Sequence, residues 1–547
     1  MIIEVIKSEI NNALEKMEII NNKNIIIDKS KNIKIGDFSS NVALIYAKEN
    51  NKSPTEFANE LIEFFDKKLF KNITITNPGF INFFVAEELF SKSLLEVLDK
   101  KDKYLLFDKK DKKYSVEYVS ANPTGYLHIG HSRNGVLGDV IKNLLITYGY
   151  DVVTEYVVND AGNQMNNLAT AVFIRYLQLF GNKIELPKDS YHGQEIKIVA
   201  QKLKDEFNDK FIKYELLENQ ITDIKIKDEI KWFARCELLE IIKSDLKSIG
   251  VEIEIYTSEQ SIRDKKLDDI LIEDLLKKDK AYKKDGAIWL RTTNFGDEKD
   301  RVLVKSDQSK TYFAPDIVYH DMKWKSNNVD VLVNVWGADH YSYITRMKAA
   351  MKVLGYNPDD LIVICLQMVK LTKNGVEFKM SKRTGESLTL RDLVSAIGKD
   401  PSRWFLLSQS VNSHIEIDVD VATKQEHNNP YYYVQYANAR ANQLLEKKKI
   451  DLVSEFKLLN SEIERELIVE INLAKYTIES CVKTFEPYKL TNYLYNLAKI
   501  FHKYYSNVKI FEEDNDKLNE QYSLIYIVKS IIGSCLNLLG IEAKIKM

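Results

Sequence analysis

The chain is 547 residues long, 45% hydrophobic and 29% charged, a balance that fits a folded globular protein and excludes a disordered or fibrous one. A chain of this length points to about three or four domains. The 78 Lys and Arg against 80 Asp and Glu leave a net charge of −2, which excludes a bulk polycation, so any nucleic-acid surface must be local.

Ile3, Ile6, Ile10, Leu14 and Met17 share one face of an amphipathic helix with acidic residues between them, unlike a signal peptide. A Gly36-Asp37-Phe38 turn, a helix and two alternating stretches, Ile73-Thr74-Ile75 and Ile81-Asn82-Phe83-Phe84, follow, with Asn77-Pro78-Gly79 as the turn between the stretches. Residues 1–105 thus read as a small α+β domain, and the Lys- and Asp-rich run from Asp99 to Asp111 as a solvated linker.

Across residues 106–425 strands and helices alternate, the pattern of a Rossmann-type parallel sheet with crossover helices. Val116–Ser120 reads as a strand, Ala121–Leu127 as a loop, and a helix opens at His128 and runs on through Val136, Leu137, Val140 and Leu144. Residues 165–285 read as helical and mixed insertions, and strands resume at Val331–Val335 and Leu361–Cys365. Residues 426–547 keep a helical spacing, as in Tyr493, Leu494, Leu497, Ile500, Phe501 and Tyr504, and read as an all-α bundle. The apolar stretch Leu524–Ile541 is interrupted by Lys529 and Asn537 and fits a buried bundle helix better than a membrane span. Cys236, Cys365, Cys481 and Cys535 are too far apart for a C-x-x-C site and read as buried thiols in a reducing cytosol.

Two motifs carry chemistry. His128-Ile129-Gly130-His131 falls where a strand, a loop and a helix present phosphate to helix amides, and with 8 His and 20 Gly in the chain it is not expected by chance. Gly130 would let a nucleotide approach the backbone, while His128 and His131, three apart on one face, can each donate to phosphate oxygens. Far along the chain stands Lys379-Met380-Ser381-Lys382-Arg383, flanked by Asn374-Gly375 and Thr384-Gly385, with Lys379 and Lys382 suited to β- and γ-phosphates. Taken singly, the first reads equally as a structural His pair and the second as a solvated loop. Together they resemble the paired nucleotide elements of class I aminoacyl-tRNA synthetases. When a carboxylate attacks the α-phosphorus of ATP, charge spreads over the phosphoryl oxygens, so positioned donors and cations are needed and no general base is.

The runs Val116–Gly125, Val158–Gln164, Gly296–Val302, Thr311–Ile317 and Trp336–His340 resemble arginyl-tRNA synthetases, and the likeness extends over essentially the whole chain. The resemblance implies an ATP site of Pro123, Thr124, Gly125, His128, Gly130, His131, Met380, Ser381 and Lys382, with His128, His131, Lys379 and Lys382 acting on the phosphates. It also implies an arginine pocket in which Glu117 and Asp316 receive the guanidinium with Tyr312 beside it. Asn122 would meet the carboxylate or amino end, and Asp339 and His340 would line the amino-acid and adenosine pocket. The chemistry agrees, because a planar five-donor fork can be held by two carboxylates on different strands. A pocket built on such hydrogen bonds rejects lysine by about 10⁴ or more, so no editing domain is required. Two alternatives stay open: Glu117 as an acid paired inside the sheet edge, and Asp316 as a helix N-cap behind Pro315. Where many members of the family have a degenerate lysine loop, this chain keeps Lys379 and Lys382 and departs only at Arg383, which implies ordinary use of the loop.

The C-terminal region resembles the anticodon-binding domain of the same family, through Asn429–Tyr436 and Pro487–Leu490 with Tyr493, Leu494 and Tyr495; exposed aromatics there could stack bases, while most are core. The N-terminal domain would contact the outer corner of the tRNA. The partners implied are the arginine tRNA, L-arginine, and ATP with Mg²⁺ as a substrate complex, with no tightly held metal, no membrane, a monomeric state, a cytoplasmic location and tRNA bound before activation. Competing readings are another class I synthetase such as the cysteinyl enzyme, whose cysteine cluster is missing, a silent RNA-binding relative, and a simple nucleotidyltransferase.

Overall fold

In a computed structural model, which describes residues 2–217, 220–377, 388–447, 451–510 and 515–547, the chain forms two compact units. One is residues 109–423; the other joins residues 1–108 to residues 424–547.

Runs rich in Val, Ile and Leu build the central sheet of the 109–423 unit. Its strands are β1 (Lys113–Glu117), β2 (Asp151–Val158), β3 (Ile255–Ser258), β4 (Val331–Gly337) and β5 (Leu361–Leu366). They pair in the order β3-β2-β1-β4-β5, every pair parallel. The order reverses between β1 and β4, and the crevice beyond their carboxyl ends is where doubly wound sheets take their ligands. Helices α1 (Ile129–Thr147), α2 (Asn163–Gln178), α3 (Ile224–Ser248), α4 (Phe313–Asn327) and α5 (Tyr343–Leu354) complete the part that shapes this crevice. Leu290, Leu303, Phe313, Ile317, Leu332, Met347, Met351 and Leu361 form one core of this unit.

The Rossmann-type sheet is as expected, but three details differ. The first strand ends at Glu117 and not at Ser120, because Val119 and Ser120 turn to φ 70° and 40°, which no strand accommodates. Residues 165–285 are not all insertion, since Ile255–Ser258 is the sheet's edge strand. Before it, α2, the Gln194–Phe207 helix and α3 bury Leu168, Val172, Phe173, Ile196, Val199, Leu203, Ile230 and Leu238 in a core of their own. Finally, Asp99–Lys103 is not loop: it closes the Glu87–Lys100 helix and forms a 3₁₀ turn.

In the second unit, four antiparallel strands, Ile27–Lys29, Phe38–Ser40, Phe80–Val85 and Phe70–Thr76, lie side by side in that order. The first helix, Ile2–Lys16, buries Ile3, Ile6, Ile10 and Leu14 as its spacing requires, while Met17 falls beyond its end. The C-terminal part is the expected bundle of helices Pro430–Lys447, Glu462–Asn472, Ala474–Thr484, Tyr488–Asn507 and Asn515–Leu538. Cys481 and Cys535 are buried, whereas Cys236 and Cys365 are half-buried. Among the described residues no helix is long and apolar enough to cross a membrane.

The two parts of this unit are fastened by a buried ion pair. Arg465 donates to both carboxylate oxygens of Asp37 at 2.6 Å and to the carbonyl of Val85 at 2.9 Å. Asp37 is fully buried, and burial outweighs the guanidinium and raises its carboxyl pKa. Arg465→Ala should strand that acid and lower stability by roughly 3–5 kcal/mol, seen as an earlier unfolding midpoint in calorimetry.

Candidate active site

The His-Ile-Gly-His segment sits at the carboxyl side of the sheet as the N-terminus of α1. His128 is the N-cap, and its Nδ1 accepts the Gly130 N–H at 3.1 Å. That nitrogen is therefore unprotonated and the proton lies on Nε2, a neutral donor. The His131 ring stacks on it at 3.6 Å between centroids. Burial lowers the pKa of His128; burial and then the neighbouring His128 take His131 down to about 3. Both rings are thus neutral donors at pH 7, not cations. A Cβ at Gly130 would lie 2.8 Å from His128 Cε1, so the glycine first makes room for the capping imidazole, where the sequence suggested room for nucleotide.

Residues Leu127–Ile129 are tied to the segment following the lysine motif. Leu390 N–H donates to Leu127 O at 2.7 Å and Ile129 N–H to Leu388 O at 2.9 Å. Lys379, Met380, Ser381, Lys382 and Arg383 lie outside the described residues. In the Pro123-Thr124-Gly125 loop, Thr124 meets the Tyr191 hydroxyl, and a Cβ on Gly125 would lie 2.9 Å from Glu195 Oε1.

Glu117 ends β1, opposite Asn334 of β4 in register. The reversal at Val119 and Ser120, a strained conformation for a β-branched residue, is held by Asn134 of α1. The Asn134 Oδ1 accepts from Val119 N–H at 2.6 Å and its Nδ2 donates to Val335 O at 2.8 Å. The turn brings Ser120 back to donate to Glu117 Oε1 at 2.9 Å, and Lys323 of α4 donates to Oε2 at 2.7 Å. Burial opposes ionisation of Glu117, but the ammonium and the hydroxyl outweigh it and hold the carboxyl below its usual range. Both oxygens thus have partners, as in the paired-acid alternative, and each keeps a second lone pair.

Asp316 is not on a strand. It occupies the first turn of α4, whose N-cap is Tyr312, so it is neither a strand acid nor the cap itself. Its Oδ2 accepts a 2.5 Å hydrogen bond from Tyr343 of α5, not from Tyr312, which is 71% exposed with its hydroxyl facing Gly162. Burial raises the Asp316 pKa to about 7; Tyr343 and Lys323 pull it down, while Glu259 and Glu117 push it up. Asn122 Nδ2 donates to Gln164 Oε1 at 2.8 Å. Asp339 and His340 form an exposed 3₁₀ turn after β4, 3.4 Å from each other and bonded to none of these acids.

Sequence reasoning missed Lys323, Asn334, His320, Glu259 and Tyr343. One local signal existed: Asn334 interrupts the otherwise apolar Val331–Val335 run. Two acids of the motif runs are taken up in contacts within the protein. Asp160 takes Arg235, Ser258 and the Gln260 N–H, and Asp297 clamps Arg301 at 2.7 and 2.5 Å.

Residues 93–418 match the family of class I tRNA synthetase (R) catalytic domains, residues 4–85 the arginyl tRNA synthetase N-terminal domain, and residues 434–547 the DALR anticodon binding domain. With its strand order and the His-Ile-Gly-His helix start, the centre of the chain is therefore a class I tRNA synthetase catalytic domain. An arginine–tRNA ligase from Ureaplasma parvum serovar 3 is 50% identical over 546 residues, covering 99% of each chain. One from Malacoplasma penetrans is 44% identical, covering 100% of this chain and 99% of its own. An arginyl-tRNA synthetase structure from Thermus thermophilus, 18% identical, shares the fold at a TM-score of 0.79 over 100% of both chains. The chain belongs to the arginyl-tRNA synthetases, the arginine–tRNA ligases.

The raised pKa of Asp316 has a stability consequence. Between the unfolded value near 3.9 and about 7 the folded state holds the extra proton, so ionising this acid costs stability as pH rises through that window. Asp316→Asn should therefore melt higher than the parent at pH 8, with the difference vanishing near pH 4, while losing arginine-dependent activity; thermal scans against pH measure it.

Proposed function

We infer that this arginine–tRNA ligase activates L-arginine with ATP to arginyl-adenylate and pyrophosphate, then passes the arginyl group to the 3′-terminal ribose of the arginine tRNA. The observation that carries the reading of the pocket is Asp316: a half-buried acid that accepts from a neutral hydroxyl, on the helix that also supplies Lys323 to the end of β1. A guanidinium is the kind of cation such an acid would take bidentately. Glu117 would offer its remaining lone pairs, Tyr312 would close over the side chain, and Asn122 would hold the amino end. Asp339 and His340 would line the rim toward the adenosine.

In activation, an oxygen of the arginine carboxylate attacks the α-phosphorus, the new P–O bond forms, and the bond to the β-phosphate oxygen breaks. The neutral Nε2–H of His128 and the ring of His131 donate to phosphoryl oxygens, beside the amides that open α1. The Pro123-Thr124-Gly125 loop and Gly130 would border the nucleotide. Lys379 and Lys382, with Met380 and Ser381 between them, would neutralise the β- and γ-phosphates. Mg²⁺ would enter with ATP as part of the substrate, bound mainly by phosphate oxygens. In transfer, the ribose hydroxyl attacks the activated carbonyl and AMP leaves. The domain division would be 1–105 on the outer corner of the tRNA, 106–425 for catalysis and 426–547 on the anticodon, in a monomeric, cytoplasmic enzyme not bound to membrane, in which tRNA precedes activation.

Charging total tRNA with each of the twenty labelled amino acids should give arginine alone; any other product sinks the reading. Lys382→Ala should slow ATP–pyrophosphate exchange by about 10³-fold while tRNA binding persists. Because kcat/KM reports the free enzyme, it should rise for arginine as pH passes about 7, where Asp316 loses its proton, and pH-dependent exchange kinetics check it.

A further inference from the structure

A buried chain of side chains joins the two acids. Lys323 Nζ donates to Glu117 and, at 2.9 Å, to Asn334 Oδ1; Asn334 Nδ2 lies 2.7 Å from His320 Nε2; and His320 Nδ1 lies 2.8 Å from the carbonyl oxygen of Asp316. A carbonyl only accepts, so His320 Nδ1 carries the proton and Nε2 accepts from the amide. His320 is therefore neutral, as its burial and the adjacent ammonium also favour. Glu259, the other acid near Asp316, is paired with Arg263 at 2.6 Å. Glu155, the register partner of Glu117, is directed instead at Ser115, Asn327 and Tyr319. Tyr343 is wedged between Phe313 and Trp336, each 5.9 Å away between ring centroids, which fixes its hydroxyl on Asp316.

We propose that Lys323 is a specificity-determining positioning residue: by cancelling Glu117 it leaves Asp316, aligned by Tyr343, as the acid whose charge is free, so the pocket selects a monocationic side chain over its neutral isostere. The proposal rests on the arginine reading above. Lys323 touches no reacting atom; it acts through Glu117 and through the Asn334–His320 link to the backbone of Asp316.

The test compares arginine with citrulline, the uncharged ureido isostere, in ATP–pyrophosphate exchange with arginine tRNA present. Glu117→Gln leaves the Lys323 charge uncancelled, and the KM for arginine should rise roughly 10- to 100-fold, with a smaller preference for arginine over citrulline as inhibitor. Adding Lys323→Met to that variant removes the stray charge and should return the arginine KM to within about tenfold of the parent. Tyr343→Phe should raise the arginine KM and shift the rising limb of the pH profile upward, since the donor that favours the Asp316 anion is gone. The KM for ATP should stay put in all three. The proposal fails if the double variant is no better than Glu117→Gln, if Glu117→Gln leaves the arginine KM unchanged, or if the ATP KM moves in step with it. A parent enzyme that does not charge arginine would instead overturn the functional reading itself.

Discussion

The Glu117–Lys323 ion pair ties the end of β1 to the helix that carries Asp316. Its partners come from a strand end and a helix 206 positions apart, and both side chains are almost wholly buried. Two charges in a dry interior are tolerable only if each is paired and its remaining hydrogen-bonding capacity is met. Ser120 and Asn334 meet part of it here, which requires the reversed turn after β1 and the β1–β4 register. Asn134 of the His-Ile-Gly-His helix then secures that turn to β4. The His-Ile-Gly-His helix, the sheet's reversal point and the helix bearing Asp316 are therefore linked by hydrogen bonds of Asn134, Ser120, Asn334 and this buried pair.

The two halves of the chemistry are treated differently. On the proposed phosphate side the described groups are neutral imidazoles and helix amides, and fixed positive charge would be left to the lysine motif. On the proposed amino-acid side, Glu117 is ionised by a built-in cation, Lys323, while Asp316 would wait for the substrate's. In the proposed site, binding of the cation and ionisation of Asp316 would be one event, which would discriminate against ligands that cannot supply the charge.

What could be read from sequence was what is local. The alternation of strands and helices, the motif helix and the C-terminal bundle follow from spacing alone, and they form as expected. The end of β1 did not, because the left-handed turn at Val119 is imposed by Asn134, fifteen residues away, and not by Val119's own preference for strand. Asp316 stands in the first turn of a helix and not on a strand, in keeping with Pro315 beside it, a helix-opening residue. Lys323 and Tyr343 carry no motif; they matter because of what the fold sets beside them. Asp160 and Asp297 show the converse, set in runs marked in sequence yet engaged by Arg235 and Arg301 of the protein itself.

The edge strand β3 reaches its place beside β2 only after the chain has passed through the helical insertion between Val158 and Ile255. Left flexible, so long an excursion would tax closure of the sheet, since the entropy of bringing its ends together grows with loop length and distant pairings form slowly. The insertion has its own apolar core, so the crossover is not left as flexible chain. Sheet completion in this unit is thus coupled to the local stability of the insertion, so a substitution in that distant core could reach the Ser258–Asp160 contact at the crevice without touching a residue of the site.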